Sequence, residues 1–185
     1  MTASNHSSNT DDDVVVIEQI VQGNQQAFTK LVTKYHRLVR VIIWNFFGKS
    51  IDPEDIMQEI FLQAYLNISK LKERAKFKSW LLRIAYNECV DSARKNRPAS
   101  SGFSTEDLAE KGIYLEDVKA QDQFSIIAAW NLLANLASED RTIVWLKYVE
   151  DCSYSEIFAV TGISETVARK KASRAMQILR ERIKI

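Results

Sequence analysis

Only five glycines and two prolines interrupt 185 residues, so the chain lacks the turn chemistry that a sandwich or barrel of short strands demands. Apolar residues instead recur every three or four positions, through Phe28, Leu31, Val32, Tyr35, Leu38, Val39, Ile42 and Ile43, and again through Ile127, Trp130, Leu133 and Leu136. That period is one buried face of an α-helix. An apolar share of 46% suffices to bury real cores at this length. The expectation is an all-α protein: two small helical domains joined by an acidic flexible linker.

The punctuation sets the boundaries. Residues 1–10 form a Ser/Asn/Thr tail, expected to be disordered, and Asp11, Asp12 and Asp13 can charge the start of a helix beginning near Val14 and ending at Gly23. A second helix is predicted from about Asn24. Asp52 followed by Pro53, Glu54 and Asp55 is a strong start for a third, running to about Ser69. Ile56, Ile60, Ala64 and Ile68 repeat every fourth residue and are predicted to face inward, leaving Asp55, Gln58, Glu59, Leu62 and Gln63 on other sides as a polar, acidic ridge. A fourth helix carries Trp80, Leu81, Ile84, Ala85, Cys89 and Val90 and is stopped by Pro98. Residues 98–123 turn to Ser, Gly, Ala and acid, the composition of a linker, with one helical turn allowed after Thr105. The predicted domains are therefore 11–97 and 124–185.

The sharpest local syntax comes late. Ser153 with Glu156 three residues on reads as a capping box; a short apolar helix follows to Val160; Thr161, Gly162 and Ile163 make a turn; Ser164 can cap a last helix. Helix, glycine-containing turn, helix is the order of a DNA-binding helix-turn-helix. On the last helix, Ala168, Ala172, Ala175, Met176, Leu179 and Ile183 share a stripe. The opposite face presents Thr166, Lys170, Ser173, Arg174 and Gln177 with Arg169 alongside, a mixture of phosphate donors and side chains able to read base edges. Glu165, near the helix start, either complements the helix dipole or accepts from a cytosine amino group.

Charge is divided in the same way. Residues 70–97 hold nine Lys/Arg against three Asp/Glu, although the formal net charge of the whole chain is only +1. The second cationic run is residues 164–185, and an acidic stretch separates the two. Such clustering is either the footprint of a phosphate-backbone partner or a pair of solvated helix faces. In the first run, cations and aromatics interleave: Lys72, Arg74, Lys76, Phe77, Lys78, Trp80, Arg83, Tyr86, Asn87, Arg94, Lys95 and Arg97. A groove for single-stranded nucleic acid has this composition, with cations along the backbone, aromatic faces for bases and Asn87 for a base edge. Trp80 also lies on the apolar stripe, where core packing is the competing role.

Other chemistry is poorly provided for. There is no nucleophile elbow, phosphate loop or metal-ligand spacing; only His6 and His36 could assist the separated Cys89 and Cys152, which read as small buried hydrophobes. Asp55 and Glu59 share a helix face, but a protein-facing ridge explains them better than a cation site. No cofactor is expected, and no enzymatic activity. The longest apolar run near the start, Val14–Ile17, is too short for a signal peptide, and no stretch approaches a membrane span. A soluble, cytoplasmic protein is the expectation.

Two segments resemble a known family. Asp55-Ile-Met-Gln58-Glu59-Ile-Phe61-Leu62-Gln-Ala64-Tyr65 resembles region 2.2 of bacterial RNA polymerase sigma factors, and Phe77-Lys-Ser-Trp80 through Arg94-Lys95 resembles regions 2.3 and 2.4. Leu136 to Ile183, with Tyr154-Ser-Glu156-Ile157 and Gly162-Ile163-Ser164, resembles region 4. The small size resembles the extracytoplasmic-function (ECF, group IV) factors. The resemblance implies that Asp55, Gln58 and Glu59, supported by Phe61 and Leu62, clasp the β′ coiled coil of core RNA polymerase. It also implies that Lys72, Lys76, Phe77, Lys78, Arg83, Tyr86, Asn87, Arg94, Lys95 and Arg97 melt and read the minus-10 promoter element. Region 4 would pack on the β flap and place Ser164, Glu165, Thr166, Arg169, Lys170, Ser173, Arg174 and Gln177 in the minus-35 major groove. An anti-sigma factor is a further partner that the family suggests.

The chain departs from the family pattern at Phe158, where a small Ala is usual, and at the start of the last helix, which reads Glu165-Thr-Val-Ala-Arg-Lys-Lys171. Two alternative functions compete with a sigma factor: a helix-turn-helix regulator that binds operators without polymerase, and a helical enzyme with an incidental basic surface.

Overall fold

The computed structural model describes residues 5–48, 52–95, 133 and 136–183. Among them, secondary structure is helical throughout, in two lobes. The predicted linker 98–123, the turn after Thr105, Arg97 and most of the predicted helix from Phe124 lie outside the described residues; Leu133 and Leu136 fall within them and are buried.

The first lobe contains α1 (Asn5–Val21), α2 (Phe28–Phe47), α3 (Pro53–Asn67) and α4 (Phe77–Lys95). Helix α1 begins at Asn5, so residues 5–10 belong to the helix rather than to a disordered tail. The acidic triplet is not its cap. Asp13 is instead buried, accepting from the Lys34 ammonium at 2.5 Å and from the Tyr35 hydroxyl. Burial first, and the Asp13 carboxylate second, hold the Tyr35 hydroxyl well above the usual phenol range. Thus an acid that reads as a terminus signal is the anchor joining α1 to α2.

Gly23 (φ 101°) closes α1, and a short 3₁₀ turn over Gln25–Ala27 precedes α2, which therefore starts at Phe28 rather than near Asn24. The start of α3 follows its sequence: Asp52 accepts from the Glu54 amide at 3.1 Å and Pro53 occupies the first turn. Its inward stripe is broader than the fourfold repeat predicts. Met57, Ile60, Phe61, Ala64 and Ile68 are buried while Ile56 is only half-buried, because α3 packs against both α2 and α4.

The second lobe contains α5 (Ser138–Tyr148), α6 (Tyr154–Thr161) and α7 (Glu165–Ile183). The capping box is present: the Ser153 hydroxyl accepts from the Glu156 amide at 3.1 Å, and the Ser153 amide donates to the Glu156 carboxylate at 2.7 Å. Gly162 ends α6 in the left-handed region (φ 74°), with its amide donating to the Phe158 carbonyl at 2.8 Å. Ala168, Ala172, Ala175 and Leu179 are buried along α7. Small residues let α7 lie close to α5 and α6, whose Ile143, Leu146, Ile157 and Val160 fill the lobe.

The two lobes touch. Helix α6 packs on α4 and α5 on α2. This explains why α5 is buried at six consecutive residues, Arg141–Leu146, where a helix facing only its own lobe would bury one stripe. Desolvation alone pushes the Arg141 guanidinium down to about 10.

Candidate nucleic-acid and partner surfaces

Helix α3 presents its ridge to solvent. Asp55, Gln58 and Leu62 are exposed, and half-buried Glu59 accepts from the Gln63 amide at 2.8 Å, which fixes its carboxylate along the helix. Phe61 does not join them. It is buried, edge-on to Phe28 at 6.5 Å, because it sits a third of a turn away from Leu62 and falls on the core side. Leu66 is 59% exposed and belongs to the ridge instead. At 100° per residue, positions 55, 59, 62 and 66 fall within about 60° of arc; the spacing of four from Leu62 is the signal in the sequence that marks Leu66.

The basic–aromatic set on and before α4 divides into three. Phe77 is buried between Tyr35 and Trp80, with ring centroids 5.4 and 5.8 Å away. Tyr86 is buried edge-on to Phe46 at 5.4 Å, and its hydroxyl is pushed up to about 12 by desolvation and then by Glu139. Neither ring is available to stack on a base, so both leave the predicted nucleic-acid set. They read as functional because they stand among cations in the sequence, whereas α4 is buried over half its circumference by α2, α3 and α6.

Lys78 and Arg83 reach the second lobe: the Lys78 ammonium pairs with Glu150 at 2.6 Å, and Arg83, though exposed, donates to the Ala159 carbonyl at 3.2 Å. The remaining residues face solvent. Lys72, Lys76, Asn87, Arg94 and Lys95 are exposed; Lys76 pairs with Glu73 at 2.6 Å and Arg94 lies 3.5 Å from Asp91. Arg83, Asn87 and Arg94 project within about 40° of one another, forming a line along α4. Beside that line an open cleft of about 400 Å³ is lined by Trp80, Ile84, Asn87, Glu88 and Asp91 of α4, by Gln63 and Asn67 of α3, and by Lys70 just beyond it. Half-buried Trp80 packs one side against Phe77, as the core-packing role requires, and lines the cleft with another.

On α7 the predicted face is intact. Thr166, Arg169, Lys170, Ser173, Arg174 and Gln177 are exposed, as are Ser164 and Glu165 at its start. Arg169 stacks over the Tyr154 ring at 4.3 Å, so its guanidinium is held at the junction of α6 and α7. Gln177 donates to Glu181 at 3.1 Å. Lys171 turns the other way and pairs with Glu139 at 2.5 Å and Asp140 at 2.9 Å, fastening α7 to α5. Those two carboxylates raise the Lys171 pKa.

Among the described residues no group of three or more His, Cys, Asp or Glu side chains could hold a metal ion, and no helix is long and apolar enough to cross a membrane. Cys89 is buried and burial pushes its thiol up; half-buried Cys152 is pushed up to about 11, again by burial first. Both are poor nucleophiles near neutral pH.

Comparisons with known proteins agree with this layout. Residues 31–99 match the family model of sigma-70 region 2, and residues 126–179 match that of sigma-70 region 4. The ECF RNA polymerase sigma factor SigW of Bacillus subtilis is 28% identical over 178 residues, covering 91% of this chain and 95% of that protein. The ECF RNA polymerase sigma-E factor of Haemophilus influenzae is 26% identical over 92% of this chain and 95% of its own. In fold, the chain resembles CnrH solved in complex with the cytosolic domain of CnrY (TM-score 0.65, 21% identity, 93% of this chain and 97% of that one). It also resembles the sigma factor RpoE of Bartonella quintana solved with the anti-sigma factor NepR (TM-score 0.61, 23% identity, 85% and 97%). With a region 2 lobe, a region 4 lobe and full-length relatives of one kind, the chain belongs to the sigma-70 family, in its extracytoplasmic-function group.

Proposed function

We propose that the protein is a non-enzymatic, cytoplasmic specificity subunit of RNA polymerase that reads a promoter at two places. The α3 ridge, Asp55, Gln58, Glu59, Leu62 and Leu66, takes the polymerase β′ coiled coil, acid meeting base and leucine meeting an apolar seam. The solvent line and cleft of α4, with Lys72, Lys76, Asn87, Arg94 and Lys95, hold the opened minus-10 strand; Trp80 offers a face for one base. The outward face of α7 enters the minus-35 major groove, while the rest of the second lobe packs on the β flap. Arg83 stands on the same exposed line of α4 and belongs to that surface, whereas Lys78 lies about 140° away around the helix.

The observation that carries this reading is the full exposure of the α7 face directly after a capped helix and a left-handed glycine. That arrangement presents donors outward and alanines inward. Family membership sets aside the stand-alone operator-binding regulator. Two neighbours in fold were solved with the domain of a partner or an anti-sigma factor, and a partner of the anti-sigma kind is proposed here too. Run-off transcription from a randomised promoter pool, with purified core polymerase plus this chain, tests the function. Enrichment of one promoter class with paired minus-35 and minus-10 motifs is expected; tight duplex binding by the chain alone, with no start-site selection, would overturn it.

A further inference from the structure

We infer that Tyr154 is a positioning residue for promoter choice: its ring holds the Arg169 guanidinium so that Arg169 reads one guanine in the minus-35 groove. The inference rests on the proposed reading of the α7 face as the minus-35 surface. Arg169 lies about 70° to one side of the middle of the face formed by residues 166, 170, 173 and 177, on a long exposed side chain with many rotamers open to it. Its guanidinium carbon sits 4.3 Å from the centre of the Tyr154 ring. No carboxylate among the described residues pairs with it, not even Glu165 one turn earlier.

The ring is itself fixed. Tyr154 is the first residue of α6, its backbone is set by the Ser153 capping box, and its half-buried side chain packs on the core. Lys147 of α5 brings a second cation to 5.5 Å from the same ring, its ammonium anchored on the Cys152 carbonyl at 3.0 Å. Helices α5, α6 and α7 thus converge on one aromatic side chain.

The kind of contact decides what Arg169 can still do. A carboxylate would engage the guanidinium through its N–H edge, the same edge that must reach DNA. An aromatic face attracts the cation without a hydrogen bond and leaves its five N–H donors free. Guanine offers O6 and N7 side by side in the major groove, the two acceptors that such a fork matches. Tyr154 acts before DNA arrives, by narrowing the rotamers that Arg169 must give up on binding.

The test uses the full chain with core polymerase, the promoter enriched by run-off selection, and its single-base-pair minus-35 substitutions. R169A should weaken binding to the enriched promoter roughly tenfold and lose discrimination at one G·C pair. Y154L keeps apolar bulk on the core but has no π face; it should lose roughly two- to fivefold and relax the same base pair. Y154F keeps the ring and should stay within about twofold of wild type. The double variant Y154L/R169A should bind no more weakly than R169A, whereas K170A should weaken binding by the same factor with or without Tyr154. A Y154L that weakens every duplex alike, a loss that adds to that of R169A, or a Y154F as impaired as Y154L overturns the positioning role. So does an R169A that is silent while K170A and R174A are impaired, and in that case the minus-35 reading stands. If wild-type holoenzyme selects no promoter, or is indifferent to every minus-35 substitution, that reading fails and the positioning role with it.

Discussion

Charge reversal at Asp55 places a cation on the exposed first turn of α3, where it opposes the helix dipole by roughly 0.3–1 kcal/mol. D55K should therefore melt only slightly below wild type while binding core polymerase more weakly, chiefly through a slower association rate and most clearly at low salt; unchanged affinity counts against the ridge. Leu66 calls for a different measurement, because an exposed leucine acts by burial in a complex. L66A should cost about 1 kcal/mol of polymerase affinity with little salt dependence. On α7, K170A and R174A should each weaken minus-35 binding by about 1–3 kcal/mol where the residue reads a base edge, and by a smaller, salt-sensitive amount where it touches phosphate. Binding titrations on wild-type and single-substitution duplexes separate the two cases. At this scale the sequence was legible where a side chain points to solvent and misleading where it is aromatic. Phe61, Phe77 and Tyr86 have the chemistry of a contact residue but serve the core, and only the packing of helix on helix tells them apart.

Helices were legible by their ends. Asp52-Pro53, Ser153 with Glu156, and Gly162 each do what their chemistry allows, because caps are local and need no tertiary information. The start of α1 was not, since Asp13 is recruited inward by Lys34 and Tyr35, residues more than twenty positions away. The cap at Gly162 gives a clean prediction. An added Cβ would meet nothing within 4 Å, so G162A carries only the penalty of a left-handed backbone, about 1–2 kcal/mol. Denaturant unfolding of the second lobe should register that loss, and a change below a few tenths would mean that the turn relaxes.

At the scale of the molecule, two helical lobes were readable from the sequence, whereas the contact between them was not. Interfaces of this kind are made of ordinary half-exposed residues such as Lys78, Arg83 and Glu150, with no periodic signature of their own. Tyr86 makes the contact visible to pH. Its folded-state pKa is raised above the ordinary phenol value of 10.0 to about 12, so its contribution is complete below about 10 and disappears as pH climbs through 12. Melting temperature should fall across that interval for wild type and fall less for Y86F, which has no proton to lose; identical profiles would remove Tyr86 from the linkage. The bond from Lys171 to Glu139 and Asp140 has a different outcome. It fixes the bearing of α7 from behind, so on the proposed minus-35 reading new side chains at 166, 170, 173, 174 and 177 would meet DNA at an unchanged angle. On that reading, changing the minus-35 half of promoter choice is a problem in base chemistry, while the minus-10 half stays with α4.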